Sequence, residues 1–336
     1  MPERPKDRAT PPPEAPKPAA GIADLPRAPS WIRIARSIIR RLPAGRYRLA
    51  DRLSRKPPSP FVATVPRALG SFAFECDLRD VMSREVCFTG CYEPQETLLV
   101  REILKPGMTF VDVGANWGYF TLLAAHLVGP QGTVVALEPD PRMFARLAAN
   151  VSRNGYRNVT LHQFAAAAAD DHLPLQAYDE AAGNFGLSRL LPESTDAGAV
   201  SVRTRPLDSV LDDLGLGLVD LLKMDIEGAE GLALRGLARS LETRRVACIL
   251  LELHPRVLEA FGTSLAQIFD LLTSAGYTSQ IIDHSPKTTR RAAYGRISDA
   301  GRLLRSYVPR ETLDAWPHVL WRHGSEGHGE GAPRSR

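Results

Sequence analysis

From residue 106 onward, short apolar runs ending in glycine or an acid alternate with segments of helical period. Such runs fall at 108–113, 133–138, 159–164, 219–225, 247–253 and 277–283, and the one at 108–113 carries Phe and Val, reads as buried on both faces and breaks at glycine. That pattern predicts strands buried on both faces, as in a parallel sheet. A last strand is predicted near 318–321. The intervening segments 118–128, 141–153, 229–241 and 264–275 predict helices, with Gly276 as a stop before the sixth strand. The alternation specifies an α/β fold: a doubly wound, mostly parallel sheet with helices on both faces.

The flanks break this rhythm. Residues 1–30 are rich in Pro, Ala and charge. They cannot bury enough apolar surface to offset chain entropy, and are read as a disordered tail. Residues 31–56 place nine Arg or Lys against the single acid Asp51, interleaved with Trp31, Ile32, Ile34, Ile38, Ile39 and Leu42. Ile34, Ile38 and Ile39 share one helical face, with Arg33, Arg36, Arg40 and Arg41 around the rest. Two readings stand: a surface helix touching anionic lipid or an acidic partner, or a solvated helix packing one apolar edge on the domain behind it. The short apolar face, ended by Pro43, favours the second. Pro57-Pro58-Ser59-Pro60 marks a hinge that closes the 31–60 segment. Over 61–105, 71–76 and 86–88 read as short strands and 96–104 as a helix, a leader placed to cap the mouth of a site. Residues 166–218 leave the alternation and are read as a substrate-side insertion beside the fourth strand. Residues 323–336, polar and Gly-rich, read as a fraying tail.

The candidate chemistry concentrates at 106–140, a strand, glycine turn, helix, strand and acid in succession. Such a unit suits a nucleoside-type ligand across the carboxyl ends of parallel strands. A dinucleotide site needs G-x-G-x-x-G, and only Gly114-x-x-x-Gly118 is present. Asp112, two residues before the first glycine, repels a pyrophosphate and favours a ligand with an amino group or hydroxyls. A P-loop is excluded, because no glycine precedes a Lys-Ser/Thr pair. Glu138, ending the second strand ahead of Pro139, suits two ribose hydroxyls. A cationic amino-acid end with a free ribose describes S-adenosylmethionine. Its candidate contacts are Asp112, Gly114, Asn116, Gly118, Glu138 and Pro139, with adenine near Phe164 and Ala165.

These residues resemble the cofactor site of class I methyltransferases. Leu222-Lys223-Met224-Asp225-Ile226-Glu227-Gly228-Ala229-Glu230 is similar to the signature of the FkbM-type branch, as are Gly90-Cys91-Tyr92-Glu93-Pro94 and Phe110-Val111-Asp112-Val113-Gly114-Ala115-Asn116. The resemblance spans about residues 72–255. It implies a Rossmann-like sheet of seven strands, the last antiparallel, within a methyltransferase domain over 106–322. It also implies a hydroxyl acceptor on a sugar, polyketide or similar small molecule.

Asp225 ends the fourth strand, the usual position facing the transferring methyl, where it accepts a proton or helps bind a divalent ion. A buried Asp225–Lys223 pair fixing the strand is the competing account. Glu227 and Glu230 open the next helix, where acids suit the dipole; Glu227 is kept as a catalytic candidate. Glu252 and His254 close the fifth strand, His254 as the imidazole base and Glu252, with Asn184, on the substrate side. Asp225, Glu252 and His254 could also hold a divalent metal, on a weak signal.

Composition narrows the class further. A formal charge of +4 over 336 residues gives no argument for nucleic acid. The fourth strand ends in Asp-Ile-Glu-Gly rather than the pocket that grips a flipped base. Cys76, Cys87, Cys91 and Cys248 have no C-x-x-C pairing and read as reduced thiols rather than a zinc site. With no membrane-length apolar run and no signal-peptide core, the expected place is the cytoplasm, with peripheral membrane contact through 31–56. The alternative class is a non-catalytic module that docks through its basic helix.

Overall fold

The computed structural model describes residues 25–178, 188–193, 198–308, 311, 313 and 315–323. The chain opens on helices α1 (Ser30–Ile39) and α2 (Arg46–Leu53), then an antiparallel pair, β1 (Phe61–Thr64) and β2 (Ala73–Cys76). Helices α3 (Val81–Thr89) and α4 (Pro94–Ile103) lead into the core. There β3 (Thr109–Val113), α5 (Tyr119–Val128), β4 (Thr133–Leu137), α6 (Pro141–Asn154) and β5 (Val159–His162) follow in turn. A small sheet comes next, made of β6 (Ala165–Ala166), β7 (Asp171–Gln176), β8 (Arg189–Leu190) and β9 (Val200–Arg205). The second half runs through α7 (Leu207–Asp213), β10 (Leu221–Met224), α8 (Glu230–Arg235), α9 (Ala238–Glu242), β11 (Cys248–Glu252) and α10 (Pro255–Leu258). It ends with α11 (Leu265–Ser274), β12 (Tyr277–Ile282), α12 (Pro286–Ala293), β13 (Leu304–Ser306) and β14 (His318–His323).

Among the described residues the main sheet has the order β13-β12-β14-β11-β10-β3-β4-β5. β11, β10, β3, β4 and β5 pair in parallel, and β14 lies antiparallel between β11 and β12. Seven of these strands are the expected ones. The eighth, β13, adds an antiparallel edge beyond β12.

Strand parity explains the two cores. Phe110, Leu221 and Leu250 bury on one face, while Val111, Val113, Leu222, Met224 and Leu251 bury on the other. Helices α5 and α6 and the N-terminal elements cover the first face, and α7, α8, α9 and α11 the second. The expected helix over 229–241 breaks into α8 and α9 at Gly236, where a Cβ would stand 2.0 Å from the Ala167 carbonyl oxygen. Close packing on the small sheet requires a glycine there.

Several expectations change. Val86-Cys87-Phe88 is not a strand but part of α3, whose N-cap Asp80 accepts from the Ser83 N–H at 2.7 Å. The run is apolar because α3 is wedged among α1, α2 and β2, so Val86, Cys87 and Phe88 are all buried. In α1 the buried pair is Ile32 and Ile39, seven apart, while Ile34 and Ile38 stay exposed. The end of the expected tail is ordered: the Ala28 N–H donates to the Val62 carbonyl. The β1–β2 pair does not cover the site mouth. It packs on α6, where Arg146 pairs with buried Glu75 and Asn154 brackets Ala73.

Helix α11 starts with a full capping box: the Gln267 N–H donates to Ser264 Oγ, and the Ser264 N–H to Gln267 Oε1 at 2.7 Å. Ser264→Ala is expected to lower unfolding free energy by about 1 kcal/mol, measured by urea denaturation. An unchanged midpoint would show that the cap carries nothing.

Candidate functional site

The carboxyl ends of β10, β3, β4 and β5 open into one cavity. With its open mouth included it holds about 610 Å³ of empty space. Gly114 turns the chain out of β3 at φ +84, with its N–H and that of Ala115 donating to the Leu137 carbonyl. A Cβ at 114 would stand 2.0 Å from the Asp225 carbonyl oxygen. Glycine is therefore required for the ends of β3 and β10 to meet, and Gly114 also lines the cavity. Gly118 lies away from the cavity lining, and a Cβ there would meet Leu147 of α6.

Glu138, directly after β4, is buried and lines the cavity. Its Oε2 accepts from the Asn116 N–H at 2.9 Å and its Oε1 from the Asp140 N–H at 2.8 Å. Each oxygen keeps a further lone pair, the acceptor set that a vicinal diol needs. Burial raises the Glu138 carboxyl to about 8, opposed by the two backbone amides. Asn116 Oδ1 is buried without a hydrogen-bond partner among the described residues, an orphaned acceptor in the cavity lining that fits a ligand ammonium. Beyond β5, Phe164, Ala165 and Ala166 complete an apolar end together with Leu137, Leu175 and Leu190. Ser188, beside them, donates to Asp140 Oδ2 at 2.7 Å. The residues present thus fit S-adenosylmethionine: a diol acceptor, an apolar slot and an unpaired acceptor for a cationic end.

At the β10 end the cavity is acidic, lined by Asp225 and Glu227. Lys223 is buried, with Nζ 3.4 Å from Asp225 Oδ2. Burial works against its charge, but Asp225, Glu93, Asp112 and Glu252 together raise its pKa. Burial opposes ionisation of Asp225 too, yet Lys223, His254 and His318 hold that carboxyl below its usual range. Burial lifts Glu227 and Glu93 each to about 7, and Glu252 to about 9.

His254 sits between acids. Its Nδ1 lies 3.0 Å from Glu230 Oε1, and its Nε2 3.2 Å from Glu227 Oε2 and 3.7 Å from Glu252 Oε1. Burial disfavours its charge, but the Glu230 hydrogen bond and the charges of Glu230, Glu227 and Asp225 raise it to about 9. At neutral pH the ring is already protonated. In that form both ring nitrogens donate, Nδ1 toward Glu230 and Nε2 toward Glu227. Glu230 is more than a helix-end acid, since Oε1 also accepts from the Gly228 N–H.

Asp112 is buried outside the cavity lining, with Oδ2 accepting from Thr121 Oγ1 at 2.5 Å. Its charge acts on the buried Lys223. Pro139 lines the cavity. Glu252 stands behind the lining near His318 Nε2, at 3.5 Å. Asn184 lies outside the described residues. The expected metal trio divides into two sets sharing Asp225: Asp225–Glu227–His254 and Glu93–Asp225–Glu252, each with ligand atoms within 4.8 Å of one another.

Glu93 was missed. It lies in the Gly90–Pro94 motif and reads as a helix start, yet it is among the four acids around Lys223, and its Oε2 is buried without a partner among the described residues. Backbone strain marks the same region: Glu93 (φ 41), Asn116 (φ 50) and Glu227 (φ 54) are all left-handed without being glycine.

The profile of the FkbM methyltransferase domain matches residues 112–279, half of the chain. The 31-O-demethyl-FK506 methyltransferase FkbM of Streptomyces tacrolimicus is 29% identical over 200 residues, covering 52% of this chain and 74% of that protein. Methyltransferase 1 of Beauveria bassiana is 32% identical over 146 residues, 38% of this chain and 57% of that protein. The crystal structure of the methyltransferase FkbM from Methylobacillus flagellatus superposes with a TM-score of 0.41 at 18% identity, covering 73% of this chain and 55% of that one. The chain thus spans little more than half of the fungal relative and of the solved structure. With the family profile covering half its length and its cavity fitted to the cofactor, the chain belongs to the FkbM family of S-adenosylmethionine-dependent methyltransferases.

Proposed function

We propose that this enzyme methylates a hydroxyl oxygen of a small acceptor: a sugar, a glycolipid or a secondary metabolite such as a polyketide. The observation that carries the reading is Glu227, a cavity-lining carboxylate raised to about 7. A base of that strength suits an alcohol that loses its proton as it attacks. S-adenosylmethionine supplies the methyl group on a sulfonium. Glu138 and Asn116 would hold its ribose and cationic ends, and Asp225 keeps a negative charge at the β10 end of the cavity. The alcohol proton passes to Glu227, whose Oε2 lies 3.2 Å from His254 Nε2. The name of the Streptomyces relative, a 31-O-demethyl-FK506 methyltransferase, supports oxygen as the acceptor atom. The test is transfer of labelled methyl to a panel of hydroxylated and amine acceptors, with and without magnesium. Products labelled only on nitrogen would sink the reading.

A pH dependence follows from Glu138. Its carboxyl, at about 8 in the free protein, must be ionised to accept from two hydroxyls. Binding below that pH releases a proton, so affinity rises by up to about tenfold per unit from pH 6 to 8 and then levels. Calorimetry in buffers of different ionisation enthalpy reads the proton directly. A flat profile with no released proton contradicts this assignment.

The location we favour is the cytoplasm, where the four free thiols remain reduced. Among the described residues no helix is long and apolar enough to cross a membrane. Helix α1 instead offers Trp31, Ile34 and Ile38, exposed at 44%, 63% and 53%, beside Arg33 and Arg41. Such a face suits an anionic lipid surface. Arg36 and Arg40 are spent on the Thr64 and Cys87 carbonyls, so they are structural. Trp31→Ala with Ile34→Ser and Ile38→Ser is expected to abolish co-sedimentation with anionic vesicles at low salt, leaving cofactor affinity intact. Equal sedimentation of the variant and the parent would exclude lipid docking through this face.

A further inference from the structure

We propose that Glu96, His284 and His318 form a binding site for a first-row transition-metal dication, zinc foremost, separate from the methyl-transfer cavity. The three come from distant parts of the chain: Glu96 from the first turn of α4, His284 from the loop after β12, and His318 from the first position of β14. Their ligand atoms lie within 4.8 Å of one another. Glu96 is 1% exposed, and its Oε1 stands 2.7 Å from His284 Nε2 and 2.9 Å from His318 Nδ1. The imidazole rings lie nearly parallel, with centroids 4.1 Å apart. One oxygen of a buried carboxylate thus meets two imidazoles, while the other, Oε2, is buried with no hydrogen-bond partner among the described residues. An ion held between the three groups engages that idle oxygen.

The donor set selects the ion. Two imidazoles with one carboxylate suit zinc and its neighbours, whereas magnesium and calcium take oxygen ligands. His318 Nε2 lies 3.5 Å from Glu252 Oε1, the carboxylate behind a ligating ring that fixes its orientation. Zinc bonds of about 2.0–2.2 Å hold tetrahedral ligand atoms roughly 3.2–3.5 Å apart. The present separations therefore widen by about half an ångström, within the reach of small side-chain rotations, and ligation displaces the ring protons. His284 and His318 also line a small side cavity with Arg305, Trp316 and Pro317, which leaves room for water or an anion at the remaining position. The bound ion would clasp α4 to the ends of β12 and β14.

The full chain, stripped with chelator, is titrated with Zn²⁺ by calorimetry and with Co²⁺ by visible absorption, using Mg²⁺ as a control. The expected result is one equivalent of Zn²⁺ at micromolar affinity or better, visible Co²⁺ bands, and no Mg²⁺ response at this site. The His284 side chain is 28% exposed, so His284→Ala is expected to keep the chelator-stripped melting temperature while weakening Zn²⁺ by at least about 100-fold. His254→Ala tests the acidic set in the cavity and is expected to retain the ion. Two results would overturn the assignment. One is absence of Zn²⁺ and Co²⁺ binding by folded parent protein; the other is binding that survives His284→Ala.

Discussion

Glu138→Ala is expected to weaken S-adenosylmethionine binding by at least about 100-fold in calorimetric titration. Hydrogen bonds to a charged group contribute about 1.5–3 kcal/mol each, and the carboxylate is placed to accept two from a ribose. The substitution also removes the acceptor for the Asn116 and Asp140 N–H groups. Asn116, which carries the other fitted acceptor, then loses the bond that holds its left-handed turn. Affinity within tenfold of the parent would mean that the ribose lies elsewhere.

Glu227→Gln is expected to lower kcat by about 10²–10⁴-fold, the usual contribution of a positioned general base. Cofactor affinity should stay of the same order, because the amide keeps the shape of the lining and the diol acceptor is untouched. For the parent, kcat should rise with pH through about 7, since the carboxylate is the active form and burial holds its pKa there. The variant should lose that inflection. A variant that binds cofactor normally and turns over at the parental rate would remove Glu227 from the reaction and leave Asp225 as the acceptor. Measuring both needs an acceptor, so the acceptor screen comes first.

Local signals were readable and distant ones were not. The β3 turn, β4 and Glu138 lie within one 35-residue stretch (106–140) whose glycine, acid and apolar spacing carry their own physics. The antiparallel last strand was also legible, through the family resemblance. Val86-Cys87-Phe88 was misread because burial from every side erases helical periodicity, leaving a short apolar run that looks like a strand. Glu93 escaped because nothing near it reveals that a left-handed turn carries its carboxyl to Lys223, 130 residues on. The charge of His254 was equally hidden. It depends on Glu227 and on Glu230, which motif reading left as a helix-end acid.

The position of β14 bears on how the molecule is made. This strand fills the gap between β11 and β12, with Val319, Leu320 and Trp321 fully buried. Until it inserts, β11 and β12 each present an open hydrogen-bonding edge, the surface on which nascent chains stick to one another. Its pairings join segments dozens of residues apart, contacts that close slowly. During vectorial synthesis the sheet therefore remains in two pieces until residue 323 has emerged, and Glu252 waits for His318 as long as the sheet does. Premature termination before His318 should yield an aggregating chain rather than a weakened enzyme.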